Sequence, residues 1–448
     1  MSRPGRLSRP GRRSSPREWT NWAGLVRARP SRVLVPHTEA ALIREVRAAL
    51  GAGERIRAVG SGHSFTGIAV APEVQVDLRS MDGLIDVDPH SRRVRLRAGT
   101  PLWRIPGLLE PFGLAMENLG DIDRQTIAGA VSTGTHGTGL AYGSVSSQVV
   151  GMRLVTGTGE VLDVDDTAPE LLDGLRVGLG AFGIITEVTL QCVEAFDLHI
   201  VERLEDFDDV VAGWPERIRA EDHVEFYWFG HSEKVLTKTT RRLEPGRRAR
   251  TRRSQSRRLI EDEVLGNLGL AATCRIGRLL PGTVPRLNRL CTAVWGGRDE
   301  VSASHEIFAA SRRVRFTETE QSMPLEETAG VMAALRDLFR VEGWASMFPL
   351  EIRCAAADSA WLSTSHGRES LYVAAHQPAG EEHREYFAAV SEVLAGFGAR
   401  PHWGKLHTLD AEAMRRLYPR FDDAVRLRDR IDPGRAFANP YLDRVLGA

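Results

Sequence analysis

Two glycine-rich segments set the terms for anything this chain can build. Residues 57–65 read RAVGSGHSF, a short apolar strand running directly into Gly60, Ser61, Gly62, His63 and Ser64. Residues 126–139 read TIAGAVSTGTHGTG, in which Ala128, Gly129, Ala130, Ser132, Gly134, Gly137 and Gly139 leave the backbone bare while Thr126, Ser132, Thr135 and Thr138 add hydroxyls. Backbone N–H groups unshielded by Cβ atoms can converge on an anion. The first segment therefore suits a phosphate, and the second a long, flat, phosphate-bearing ligand lying close to the main chain. A tight turn and a glycine-rich turn with a structural histidine, His136, are the plain alternatives. No third glycine opens a helix after the first segment, as the doubly wound dinucleotide fold requires, and no terminal Gly-Lys-Ser or Gly-Lys-Thr marks a triphosphate loop.

At 448 residues the chain exceeds one ordinary core, so two domains are expected. Over 18–196 strand-like runs mix with helical ones: Val33–Val35, a helix capped by Thr38 with Leu42, Val46 and Leu50 on one face, then Ile56–Val59, Val74–Leu78, Val94–Arg97, Val149–Val155 and Ile184–Leu190. From 197 to 448 the texture changes, with helical patterns over Glu326–Phe339 and Glu382–Leu394 and strand-like runs over Met347–Cys354 and Ser370–His376. The whole reads as α+β. The end of the second domain, DPGRAFANPYLDRVLG, is rich in turn formers and aromatics and is expected to return to the first domain. Residues 1–17 contain almost nothing apolar and read as a disordered basic tail. The nine arginines between Arg241 and Arg258 have no interleaved aromatic to stack on bases and read as a solvated loop.

Lys plus Arg equals Asp plus Glu at 59 each, which removes any whole-molecule attraction to nucleic acid and favours a small-molecule enzyme. Cys192, Cys274, Cys291 and Cys354 are too scattered for a metal or redox motif and read as reduced thiols of a cytoplasmic protein, with no metal expected. No apolar run is long enough to span a bilayer, so no integral membrane segment is expected, while peripheral membrane contact stays open. The positive charge is almost all arginine. Lys234, Lys238 and Lys405 are the lysines, and each stands out for that reason.

VGSGHSF, GDID, STGTHGTG, LGAFGIIT at 179–186 and RPHWGK at 400–405 occur in one order and resemble the FAD-binding fold shared by vanillyl-alcohol oxidase and the aldonolactone oxidoreductases. The resemblance runs from Trp19 to the C-terminus. It implies a first domain of two subdomains holding the ADP portion of FAD, and a C-terminal α+β cap over the isoalloxazine ring. Carried onto this sequence, Gly60, Ser61, Gly62 and Ser64 would cradle the pyrophosphate. Thr126, Gly134, Thr138 and Gly139 would line the flavin, and Ile185 would contact the adenine end. His63 matches the histidine that histidine-bearing members join to the flavin 8α-methyl carbon, so covalent 8α-histidyl FAD is expected.

In MFPLEIRC, strand alternation puts Glu351 and Arg353 on one face and Leu350, Ile352 and Cys354 on the other. Spacing alone allows a surface ion pair as readily as a carboxylate–guanidinium pair that holds a polyol. The resemblance implies the second, because the aldonolactone and alditol oxidases carry Glu-x-Arg here facing the flavin. It also implies that Lys405 in HWGK binds substrate. His376, after an apolar run, either joins that pocket or is a core residue, and His402 and His407 flank Lys405. The implied reaction oxidises an aldono-1,4-lactone of the L-gulono, L-galactono or D-arabinono type at C2 to an ascorbate-like product. Hydride would pass to the flavin, and electrons onward to oxygen or to a redox protein or quinone. An alditol oxidase acting on xylitol- or sorbitol-like polyols is the nearest alternative, although STSHGRESLYVAAHQ is closer to the lactone enzymes. A non-catalytic nucleotide-binding protein is the alternative of another class.

Overall fold

The parallel pairing of three short strands requires a crossover, and the sequence supplies one. The computed structural model describes residues 18–243, 273, 275–277, 279–294, 297–309, 314–342, 344 and 346–448. The basic segment 1–17, Cys274 and the arginine-rich stretch beyond Leu243 lie outside the described residues. Strands β1 (Arg32–Leu34), β2 (Ile56–Val59) and β3 (Val74–Asp77) form a parallel sheet in the order β1-β3-β2. The helix Glu39–Gly51 links β1 to β2. It begins where Thr38 Oγ1 accepts a hydrogen bond from the Ala41 N–H at 3.2 Å, and it buries Leu42, Val46 and Ala49.

A second, antiparallel sheet contains β4 (Leu84–Asp88), β5 (Arg93–Arg97), β6 (Val149–Val155), β7 (Val161–Asp165) and β8 (Ile184–Gln191), ordered β7-β6-β8-β5-β4. The second glycine-rich segment enters the helix Ile127–Thr133. Thr126 Oγ1 caps it from the Gly129 N–H at 3.2 Å, and Gly134 ends it at φ +72°.

Two short two-stranded sheets aside, the other strands form one eight-stranded antiparallel sheet: β9 (Asp197–Asp206), β10 (His223–Trp228), β11 (Lys234–Leu243), β12 (Asp299–Ala303), β13 (Phe316–Pro324), β14 (Leu350–Ala355), β15 (Ser370–Pro378) and β16 (Arg400–Pro401). Their order is β12-β9-β11-β10-β14-β15-β13-β16. One face carries Val224, Phe226, Trp228, Ile352, Cys354 and Val373 and packs on helices Thr328–Glu342 and Arg384–Ala395 through Val331, Leu335, Phe339, Phe387 and Val390. Each such buried side chain contributes roughly 1.5–3 kcal/mol. By the period of two, the opposite face carries Glu225, Tyr227, Lys238, Glu318, Glu320, Glu351 and Arg353. The chain ends back on the first sheet. Ile56 N–H donates to Ala436 O at 2.8 Å, and Asn439 Nδ2 donates to the carbonyls of Gly67, Ile68 and Val70.

Candidate active site

The two glycine-rich segments meet. A Cβ on Gly60 would stand 2.7 Å from Thr126 Oγ1, so the strand β2 and the helix Ile127–Thr133 approach this closely only because residue 60 is glycine. Gly62 turns the chain at φ +72°, a left-handed conformation that favours glycine. Between the segments opens a cavity of about 540 Å³ whose walls include Gly60, Ser61, Gly62, Ser64, Thr126 and Gly129. That size and that bare backbone suit the phosphate-bearing arm of a dinucleotide. Ile185 lies on the wall beside Gly183.

Gly134, Thr138 and Gly139 lie outside the walls of this cavity. Gly134 is spent on ending its helix. Thr138 Oγ1 donates to Val224 O at 2.5 Å, and Gly139 N–H donates to Cys354 O at 2.9 Å. Gly139 sits at φ +120°, and a Cβ there would lie 2.5 Å from Asp222 O. These two residues fasten the loop to β10 and β14, the strands that carry Glu225 and Arg353.

His63 is held on three sides. Trp22 N–H donates to Gly62 O at 2.8 Å, Asn21 Nδ2 donates to Ser64 O at 3.0 Å, and the Trp22 ring stacks on the imidazole at 5.6 Å and 27°. Burial, reinforced by the positive charges of Lys405 and Arg124, pushes its pKa down to about 4. The imidazole is therefore neutral at physiological pH, with one ring nitrogen free of a proton.

Next to it lies the charged face of the eight-stranded sheet. Arg353 donates from Nε to Glu225 at 2.7 Å, and from Nη2 to Asp121 at 2.6 Å and to Glu351. Lys405 pairs with Glu318 and stands 3.9 Å from Glu320. His376 Nε2 lies 3.5 Å from the other Glu318 oxygen. His136 Nε2 faces Glu320 at 3.4 Å, with its ring 3.8 Å from that of Tyr372. Glu225, Glu318, Glu320, Glu351 and Arg353 are all buried. Burial alone would neutralise such groups, but opposite charges outweigh it. Glu318 is lowered to about 2 by Lys405 and His376, Glu320 is held well below the carboxylate range by His136 and Lys405, and Lys405 and Arg353 are raised. The carboxylates of Asp121, Glu225, Glu318, Glu320 and Glu351 are thus interleaved with the cations Lys238, Arg353 and Lys405.

The structure brings Glu351, Arg353, Lys405 and His376 into this one cluster, joined to the cavity through residues 63–65. Phe65 N–H donates to Gly404 O at 2.7 Å, and Lys405 Nζ lies 5.4 Å from the Phe65 ring centre. His402 belongs to the cluster, while His407 pairs with the Tyr441 hydroxyl at 2.9 Å. His136, Glu320 and His402 place three possible metal-ligand atoms within 4.8 Å of one another. Against that use, the Lys405 ammonium faces Glu320, and His402 Nδ1 accepts the Gly404 N–H at 3.0 Å. Sequence reasoning missed Asp121, Glu225, Lys238, Glu318 and Glu320. Two of them carried a signal: Lys238 is one of three lysines, and Asp121 lies within GDID.

Comparison with known proteins places this architecture. A family model described as D-arabinono-1,4-lactone oxidase matches residues 188–445, and one described as FAD binding domain matches 30–165. The chain is 39% identical over 429 residues to L-gulono-1,4-lactone dehydrogenase of Mycobacterium tuberculosis, covering 96% of this chain and 99% of that protein. It is 29% identical over 441 residues to L-gulonolactone oxidase of Bos taurus, covering 96% and 98%. Among solved structures, cholesterol oxidase from B. sterolicum superposes with a TM-score of 0.81 at 18% identity, covering 96% of this chain and 97% of that one, a likeness of fold.

Proposed function

Because this chain belongs to the D-arabinono-1,4-lactone oxidase family, whose model covers more than half of it, we infer an FAD-dependent oxidoreductase acting on an aldono-1,4-lactone. Bound FAD supplies the two-electron acceptor, and the chain's own residues do the rest. Gly60, Ser61, Gly62, Ser64 and Thr126 hold the phosphate arm and Ile185 the adenine end. His63, neutral and clamped by Trp22 and Asn21, carries the lone pair that a covalent bond to the 8α carbon needs. The reading divides the chain into an FAD-binding unit over 18–196 and a cap from 197.

The finer reading is oxidation at C2, and the observation that carries it is the buried, acid-rich face of the cap sheet. Arg353 keeps Nη1 outside its three carboxylate contacts, so that edge can meet the lactone carbonyl. Glu351 accepts from the C2 hydroxyl and takes its proton as C2 is oxidised. Lys405 stays cationic between two glutamates and steadies negative charge on the substrate oxygen. His376 borders the same pocket through Glu318. The buried carboxylates of Glu318, Glu320 and Glu351 crowd this face, which favours a neutral lactone over the anionic aldonate that it forms on hydrolysis.

The test is an anaerobic panel. The 1,4-lactones of L-gulonic, L-galactonic and D-arabinonic acids should bleach the flavin, while xylitol, sorbitol and L-gulonate should not. Faster bleaching by the alditols would move the assignment to a polyol oxidase. Hydrogen peroxide formed in air identifies oxygen as acceptor, and its absence with turnover on an added quinone identifies the alternative. Among the described residues no helix is long and apolar enough to cross a membrane.

A further inference from the structure

Lys238 sits in a row of charges that crosses four neighbouring strands. On β9, β11, β10 and β14 the register sets Glu202 opposite Lys238, Lys238 opposite Glu225, and Glu225 opposite Arg353. The signs alternate along the row. Directly opposed residues of antiparallel strands are the pairs that interact most strongly across a sheet. Lys238 Nζ meets Glu225 Oε1 at 2.6 Å, and Arg353 Nε meets Glu225 Oε2 at 2.7 Å, so the two cations divide one buried carboxylate between its oxygens. Tyr227 donates to Oε1 as well, at 3.2 Å. Asp121 and Glu351 hold the opposite edge of the guanidinium. Behind the row, His223 is kept neutral, its pKa pushed down to about 4 chiefly by burial. The permanent cations facing Glu225 are therefore Lys238 and Arg353.

We propose that Lys238 is a positioning residue of the lactone reaction: by neutralising one oxygen of Glu225 it fixes the plane of the Arg353 guanidinium, and with it the edge presented to substrate. The proposal rests on the substrate reading above. Lys238 itself touches no reacting atom. Its removal would leave Glu225 with Arg353 as its one counter-cation, drawing the guanidinium toward Glu225 and away from the lactone. Because Lys238 and Arg353 together hold Glu225 in its anionic form against burial, losing Lys238 also raises the pH at which Glu225 protonates and releases Arg353.

The experiment compares wild type with K238M, E225Q and E225Q/K238M, each scored first for FAD content. Anaerobic flavin reduction by L-gulono-1,4-lactone should slow at least tenfold in K238M, with the acid limb of its pH profile displaced upward. Charge balance returns in E225Q/K238M, where the glutamine oxygen can still accept from Arg353, and the double variant should recover most of the lost rate. A double variant as slow as K238M, or slower, overturns the proposal. Should K238M fail to fold, E225Q, which strands the ammonium, is compared with the double variant. The double must be at least threefold faster, and equality or reversal rejects the idea. Sulfite affinity of the oxidised flavin, which needs no lactone, separates this proposal from the substrate reading. If no lactone reduces wild type, that reading falls, and weaker sulfite binding in K238M that is restored in the double still supports Lys238. Unchanged sulfite binding in both would then refute it.

Discussion

At Lys405 burial favours the neutral amine, but Glu318 and Glu320 outweigh it and raise the pKa. A lysine kept cationic cannot serve as a base, which leaves electrostatic stabilisation as its chemistry. Lys405→Met should slow flavin reduction in an anaerobic single turnover by roughly 30- to 1000-fold, or about 2–4 kcal/mol. Lys405→Arg should restore only part, because a planar, delocalised fork does not replace a point charge. Flavin content and reoxidation should stay as they are, and a defect confined to reoxidation would instead place Lys405 on the acceptor's side. Glu351→Gln and Arg353→Ala should also cost about 2–4 kcal/mol in turnover with the flavin spectrum intact. For His63, acid-precipitated protein should keep its yellow colour, and the peptide bearing His63 should be heavier by one FAD. Complete release of colour into the supernatant would remove the covalent bond and leave the binding.

The elements show why part of this site was legible and part was not. RAVGSGHSF and the helix cap at Thr38 are local, so adjacent residues carry the whole signal, and β2 and the helix Glu39–Gly51 lie where the sequence puts them. β13 is the opposite case. FTETEQSMP alternates Glu318 and Glu320 with Thr317 and Thr319, a period-two pattern that reads as a strand with one charged, solvent-facing side. What buries that side is the loop holding His136, brought to it from 184 residues earlier by Glu320. Periodicity reports that a face is polar and is silent about what covers it. The same long-range dependence ties the C-terminal helix Pro440–Leu446 to the first sheet through the fully buried Asn439, whose Oδ1 also caps Leu442 N–H at 2.9 Å. Asn439→Ala orphans three carbonyls and removes a cap, and should destabilise the protein by about 2–4 kcal/mol. Denaturant unfolding of the holoprotein measures this. A loss within experimental error would show that the helix is held by its apolar contacts alone.

Across the whole molecule, acid should act in two windows. His223 lies apart from His402 and His407, and burial lowers the three pKa values from 6.5 to about 4, about 4 and about 3. His63 is left out of this count because its nitrogen is assigned to the flavin bond. As the pH falls from 6.5 toward 4, the unfolded chain takes up protons at these three positions while the folded protein refuses them. Stability present above pH 6.5 is therefore lost through that interval. Each histidine contributes a slope of about 1.4 kcal/mol per pH unit, so the three together approach roughly 4. Asp358, raised by burial to about 6, takes up its proton in the folded protein within the same interval and offsets about one of these contributions, while the paired glutamates act lower down. Glu318, at about 2 in the folded state against 4.5, loses its contribution only as the pH falls from 4.5 through 2. Thermal unfolding followed from pH 7 to pH 3 should show the midpoint falling first through the histidine window, before the glutamates begin to protonate. His407→Gln removes one of these protons at a position outside the charged cluster, so it should flatten the first slope by about 1.4 kcal/mol per pH unit and leave lactone turnover unchanged. A midpoint constant between pH 6.5 and 5 would mean that these histidines are free to protonate in the folded protein, and that the interior around the cluster admits water.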